Sequence, residues 1–192
     1  MVKIREASVA DAVGIARVHV DTWRSAYRGI VPDSLLDELS YEQRAALWER
    51  ILEPPTSTFT YVAEDPTTQQ IIGFVSGGPA MDREDPLYKG ELYTIYILEA
   101  YQRQGLGKQL FYLTVERLIE MGLDSMLIWV YTDNPARRFY ESLGGQLVGR
   151  QSYEEGGVML EQVSYGFQPL TGLKHHSSTN TQTSVTESEN ES

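Results

Sequence analysis

Residues 91–121 read ELYTIYILEAYQRQGLGKQLFYLTVERLIEM, and this stretch decides the fold. Glu91 to Leu98 is rich in β-branched and aromatic residues and reads as a strand. From Gly105 to Met121 the residues Leu106, Leu110, Leu113, Leu118 and Met121 recur at helical intervals, with Phe111, Val115 and Ile119 widening the apolar face. Between strand and helix lie Gln102, Arg103, Gln104, Gly105, Leu106, Gly107 and Lys108. The first backbone N–H groups of a helix have no partner within it, and together with the helix dipole they favour an anion by ~0.3–1 kcal/mol per charge when exposed. Gly105 and Gly107 let the backbone approach a ligand without Cβ interference, and Arg103 and Lys108 add positive charge. That chemistry suits a pyrophosphate. Two other phosphate loops fail, one at a single position and the other at two. A dinucleotide fingerprint from Gly105 needs glycine where Leu110 stands, and a Walker A loop ending in Gly107 and Lys108 needs glycine at Gln102 and Ser or Thr at Gln109. On spacing alone, a surface turn whose glycines serve only its geometry stays open as the alternative.

Outward from this stretch, strands and helices are mixed. A strand over Lys3 to Glu6 precedes Ser8 and Asp11, spaced as a capping box, and Ala12, Ile15, Ala16, His19, Trp23 and Tyr27 then recur as one helical stripe. Pro32 and Asp33 open a second helix, and Ser40 with Gln43 a third. Thr58 to Glu64 and Ile71 to Ser76 read as a hairpin, Ser125 to Tyr131 as a buried strand, Asn134 to Leu143 as a helix ended by Gly144 and Gly145, and Gln146 to Phe167 as two strands joined at Gly156 and Gly157. This order predicts an α+β (α/β) domain with a mixed sheet over residues 1–168, followed by a disordered polar tail over 169–192 that is nearly all Thr, Ser, Asn, Gln and Glu from Thr171. His175 and His176 at its start read as solvated residues, with no metal expected.

Sixteen Lys and Arg against 27 Asp and Glu leave a net charge of −11, with no basic cluster, so no nucleic-acid partner is expected. With no cysteine, disulfides, thiolate metal sites and a cysteine nucleophile are excluded. The longest apolar run, Met126 to Tyr131, is far short of the ~20 residues of a membrane helix, and Lys3, Arg5 and Glu6 argue against a secretory signal. A cytoplasmic protein without a membrane partner is the expectation.

The segment Glu91 to Gly145 resembles the acetyl-CoA site of the GNAT family of N-acetyltransferases, whose signature is Gln or Arg, two residues, Gly, one residue, then Gly or Ala, here Gln102, Gly105 and Gly107. The likeness extends to the preceding strand and to Asn134, Phe139 and Tyr140, and the element order matches over residues 1–168. Two positions depart from the pattern: Gly145 stands where the family often has an aromatic residue, and Glu99 where many members have proline. The resemblance implies a GNAT-like acyl-CoA N-acyltransferase fold, with the amides of Gln102 to Lys108 on the CoA pyrophosphate. It also implies a pantetheine arm paired with the main chain of Ile95 and Ile97, Asn134 touching that arm, and acetyl-CoA as co-substrate without a metal.

The chemistry sets further requirements. An alkyl amine of pKa ~10.4 is neutral in about one molecule in 2,500 at pH 7, a cost of roughly 4.6 kcal/mol before it attacks a thioester. By resemblance Glu91 is the general base, acting through a water, with Glu84 and Asp85 as competitors, and Tyr140 is the acid that protonates the departing thiolate. Trp23, Tyr27 and Tyr41 are expected to wall the amine pocket, while His19 reads as a core histidine. Trp23, Tyr27, Arg28, Gly29 and Ile30 together resemble a subset of small bacterial members, some of which acetylate polyamines. The expected acceptor is a primary amine of a small molecule, polyamine or peptide, acetylated by direct transfer in a ternary complex, since there is no cysteine to carry an acyl group and no motif for a serine that would. The alternative is a non-catalytic acyl-CoA-binding regulatory module. A homodimer through the last strands is also anticipated.

Overall fold

A computed structural model describes residues 2–81, 87–155 and 157–173. Seven strands form one sheet: β1 (Lys3–Glu6), β2 (Phe59–Glu64), β3 (Ile71–Pro79), β4 (Gly90–Ile97), β5 (Met126–Tyr131), β6 (Gln146–Glu155) and β7 (Val158–Phe167). The helices are α1 (Ala12–Ala26), α2 (Asp33–Asp37), α3 (Tyr41–Leu52), α4 (Leu106–Glu120) and α5 (Arg137–Ser142). The sheet order is β1-β2-β3-β4-β5-β7-β6, antiparallel at every pair except β4 and β5, which are parallel and connected through α4. A mixed sheet flanked by helices is therefore the fold, as the order of elements in the sequence implied.

Both faces of the sheet are covered. On one, Leu106, Leu110, Phe111, Val115 and Leu118 of α4 pack against Val75, Leu92 and Ile128. On the other, Ala12, Ile15 and Val18 of α1 and Trp48 of α3 pack against Val62 and Phe74. Burial from two sides explains why β3 shows no polar alternation over Ile71–Gly78.

Two irregularities in β4 shape the site. Ser76 pairs with Thr94 while Gly77 pairs with Leu92, so Tyr93 is an extra residue and bends the strand. On its other side β4 pairs with β5 only at Gly90↔Met126 and Glu91↔Leu127. Beyond Glu91 the two strands part, β4 continuing along β3 and β5 along β7.

Local signals were mostly realised, with shifted limits. Ser8 donates from its N–H and its hydroxyl to Asp11 (2.8 and 3.0 Å), but the first turn is a 3₁₀ turn over Val9–Asp11 before α1. The Oγ of Ser40 accepts from the N–H of Gln43 as its spacing implied. The expected helix from Asn134 is α-helical only from Arg137, because Asn134–Ala136 forms a capping turn. Within the stretch expected as tail, Leu170–Leu173 is a 3₁₀ turn with Leu170 fully buried in the α4 core, since two leucines supply apolar area there. Residues 174–192, with His175 and His176, lie outside the described residues.

Arg5 ties this frame together. Its guanidinium contacts Asp11 at 2.7 and 2.8 Å and Glu64 at 3.1 and 3.2 Å, joining β1, the first turn and β2. The hydrogen bonds from Arg5, ahead of those from Ser8, hold the Asp11 carboxyl at about 2, against an ordinary 3.8. A depressed carboxyl contributes stability above its unfolded pKa and loses it as pH falls through the folded one. Asp11→Asn is therefore expected to cost about 1–2 kcal/mol at pH 7. In thermal melts between pH 7 and 2, its deficit should shrink below pH 4 and vanish near pH 2; a constant deficit would refute the linkage.

Candidate active site

The turn before α4 is held open by its own side chains. Gly105 caps the helix in the left-handed region at φ +83°, a conformation that costs an L-residue about 1–2 kcal/mol, and Arg103 is left-handed too, at φ +61°. Gln102 donates from Nε2 to the carbonyl of Ile97 (2.9 Å) and Gln104 from Nε2 to that of Ala100 (3.1 Å). These two side chains brace the turn against the end of β4. Among the described residues, no amide from Arg103 through Lys108 donates to a backbone or side-chain acceptor. Six consecutive N–H groups, from Arg103 to Lys108, are thus left without a protein acceptor among the described residues. A Cβ at Gly107 would meet Ile97 and Phe139 at an ordinary 3.5 Å, so packing does not demand glycine there. Arg103 and Lys108 are exposed, and the Lys108 ammonium lies 5.8 Å from the Tyr112 ring centre.

The parting of β4 from β5 opens a slot beside this turn. The N–H of Leu98 donates to the carbonyl of Ile72 (2.9 Å), so Tyr96 and Thr94, one and two pleats back, also face β3. By that alternation the main-chain groups of Ile95 and Ile97 face the uncovered edge. The carbonyl of Ile97 is taken by Gln102; its N–H and both groups of Ile95 remain.

Asn134 and Tyr140 lie in the turn and helix that follow β5. Asn134 is buried and accepts at Oδ1 from the Ala136 N–H (2.8 Å), while its own N–H donates to the carbonyl of Tyr131. That capping turn aims α5 so that Tyr140, 6% exposed, lies inside. Burial first, and the nearby Tyr96 second, push the Tyr140 phenol well above its ordinary range, so it stays protonated. The departure at Gly144 and Gly145 has a packing reason. Gly144 adopts φ +92°, and a Cβ at Gly145 would fall 2.6 Å from the ring of Phe167, which fills that space from β7.

Glu91, 8% exposed, sits where β4 and β5 are still paired, and its Oε2 accepts from the Met81 N–H at 2.9 Å. Its rivals Glu84 and Asp85 lie outside the described residues.

On the opposite face of β4, α1 brings aromatic residues to the slot. Trp23 donates from Nε1 to the Tyr96 hydroxyl (2.9 Å), and the hydroxyls of Tyr27 and Tyr96 are 3.4 Å apart. The expected pair Trp23 and Tyr27 is thus assembled; Tyr41 is not. Its hydroxyl donates to Asp21 (2.6 Å) on the outer surface between α1 and α3, because it begins α3 on the solvent side. His19 is a core residue, with Nδ1 accepting from Trp48 (3.2 Å) and burial lowering its pKa to about 3, so it is neutral and supplies no base. Among the described residues its Nε2 is buried without a partner, so the expected core placement holds but the satisfied ring implied by it does not. Tyr96, Tyr131 and Tyr153 were missed as site residues. Strand periodicity alone could have marked Tyr96, but placing Tyr131 and Tyr153 beside it required the sheet order. Among the described residues, no group of three or more His, Asp or Glu is placed to hold a metal, and no helix is long and apolar enough to cross a membrane.

Comparison with known proteins agrees with this geometry. Residues 17–145 match the acetyltransferase (GNAT) family. The chain is similar to the uncharacterized N-acetyltransferase YuaI of Bacillus subtilis (strain 168), 38% identical over 175 residues, covering 91% of this chain and 97% of YuaI. In fold it is similar to the PaiA N-acetyltransferase of Thermoplasma acidophilum solved with coenzyme A (TM-score 0.71, 17% identity, 88% of this chain and 99% of that one). It is likewise similar to YncA of Salmonella typhimurium solved with acetyl-CoA (TM-score 0.66, 20% identity, 94% and 99%). A glycine turn heading α4, a slot between two parting parallel strands and a family match across both place the chain in the GNAT family of acetyltransferases.

Proposed function

We propose that this protein transfers the acetyl group of acetyl-CoA to a primary amine by direct attack within a ternary complex. The observation that carries the reading is the row of unpaired amides from Arg103 to Lys108 opening onto the uncovered edge of β4. In an acidic chain this is a local concentration of donors and positive charge suited to a diphosphate. The edge at Ile95 and the Ile97 N–H offers the alternating donors and acceptors that the amide-bearing pantetheine arm requires. The relatives solved with coenzyme A and acetyl-CoA share the fold and support this choice of ligand.

The reaction then follows from proton placement. The amine nitrogen attacks the thioester carbon while its proton passes through water to Glu91. The carbonyl oxygen gains negative charge and is met by a main-chain N–H of β4. The C–S bond breaks, and the sulfur takes the Tyr140 proton, which is restored from solvent. The burial that raises the Tyr140 phenol also raises the basicity of a thiolate beside it, keeping donor and acceptor matched.

Acetyl-CoA binding by calorimetry and thiol release with a panel of amines test the reading together. Binding with turnover supports it, binding without turnover on any amine indicates the regulatory module, and no binding overturns both. Tyr140→Phe is expected to lower kcat about 100-fold while leaving the KM for acetyl-CoA nearly unchanged; unaltered turnover would exclude the acid role. Glu91→Gln should lower kcat/KM for an alkyl amine near neutrality and let it keep climbing with pH to the amine's own pKa, whereas an unchanged profile would remove Glu91 from the mechanism. Gly105→Ala should cost about 1 kcal/mol of stability through its left-handed backbone. Gly107→Ala should leave the Tm unmoved and weaken acetyl-CoA binding; equal affinity would show that the diphosphate does not approach there.

A further inference from the structure

The Tyr140 phenol has no tether at its reactive end. Among the described residues its hydroxyl makes no hydrogen bond, so its direction is inherited from the ring and from the helix that carries it. That helix, α5, spans six residues, well under the ~12–15 at which a helix begins to hold its own shape in water. Its ends are closed locally. Asn134 caps the start, and at the finish the N–H of Gly145 donates to the carbonyl of Tyr140 (3.0 Å) and that of Gly144 to the carbonyl of Glu141 (3.0 Å). These bonds fix where α5 begins and stops, but not how it is turned about its axis.

Tyr165 of β7 reaches α5 at two points. Its fully buried ring packs on that of Tyr140, with centres 6.2 Å apart. Its hydroxyl donates to Oε1 of Glu141 (2.5 Å) and accepts from Nε of Arg137 (3.0 Å), and Arg137 donates in turn to the carbonyl of Thr132 (2.9 Å), just past the end of β5. Arg137 and Glu141 are four residues apart and share one face of α5, with Tyr140 on the adjoining side. Both bonds of the phenol have an ionised partner, the class roughly twice as strong as bonds between neutral groups. Burial first, and Glu141 next, hold the Tyr165 phenol above its ordinary range against the opposing Arg137, so it keeps the proton it donates.

We infer that Tyr165 is a positioning residue for the transfer: by gripping Arg137 and Glu141 it sets the rotation of α5, and so the direction in which Tyr140 presents its proton to the sulfur. The inference rests on the reading of Tyr140 as the acid and deepens it. Protonation needs donor and sulfur within hydrogen-bond reach, and a misplacement of about 1 Å costs as much as ~100-fold in rate. Without the phenolic oxygen, Arg137 and Glu141 are left to pair with each other along the helix, and α5 loses its polar tie to β7. The proposed diphosphate and pantetheine contacts lie on the turn before α4 and on β4, which the bridge does not touch, so the effect falls on kcat.

The test is thiol release from acetyl-CoA by the full chain with butylamine, putrescine, 2-phenylethylamine and trialanine, following the fastest of them through a double-mutant cycle. Tyr165→Phe, which keeps the ring, should lower kcat about tenfold with the KM for acetyl-CoA within about twofold. In a Tyr140→Phe background the same change should cost less than about twofold, because the group it aims is gone. Exposed Glu141 offers a second route that spares the core. Glu141→Ala should reproduce the loss in kcat, while Glu141→Gln, which still accepts from the phenol, retains most of the activity. Equal losses in the two backgrounds, or an unchanged kcat in either Tyr165→Phe or Glu141→Ala, overturn the inference and leave the transferase reading standing. Full activity in Tyr140→Phe removes the acid and this inference with it, and no thiol release by the unsubstituted chain from any of the amines overturns the transferase reading as well.

Discussion

One unmade strand pairing organises this molecule. β4 and β5 share only two register positions, and from Leu92 onward β4 is bonded on a single side. Backbone donors and acceptors rarely stay unpaired inside a protein, because each carries a desolvation cost comparable to a lost hydrogen bond. The fold tolerates the gap because the slot opens at the turn before α4, where a ligand or water can reach the free groups. The extra residue at Tyr93 bends β4 where the partner strand leaves, and Gln102 closes one of the exposed carbonyls, that of Ile97. The turn, the slot and the helix start are therefore one construction.

Electrostatics in the site are local and independent of the chain's overall charge. A net −11 would repel a diphosphate at long range, yet exposed charges are screened within about 8 Å at physiological ionic strength. At contact distance the unpaired amides of residues 103–108, the start of a fifteen-residue helix, and Arg103 and Lys108 dominate. On the other side of β4, phenols held protonated by burial stand among indole and aliphatic groups. The two sides of one strand thus differ in chemistry.

The strand-turn-helix unit was legible from residues alone, because each of its signals is local. The apolar spacing in α4 follows from the helical period, and glycine at 105 follows from a left-handed backbone that other residues resist. Gly107 is different: nothing in its packing requires glycine, so its signal in the sequence concerns the space in front of the turn. The limits of α5 and the turn at Leu170 were misjudged for a shared reason. Asn134 favours a capping turn over helix, and the contribution of Leu170 is decided by whether a core lies within reach.

By itself, the order of apolar, glycine and capping residues determined that this chain forms a mixed sheet with a glycine turn heading α4, since those choices depend on neighbours a few positions apart. Which aromatic residues gather beside β4 was a tertiary decision. Trp23, Tyr27, Tyr96, Tyr131, Tyr140 and Tyr153 come from five separate elements or their caps, and only the sheet order, with β7 inserted between β5 and β6, brings them around one slot while leaving Tyr41 outside. Burial is a property of the assembled layers, so the phenols that stay neutral and the histidine that cannot serve as a base acquire that chemistry only when the layers close over them.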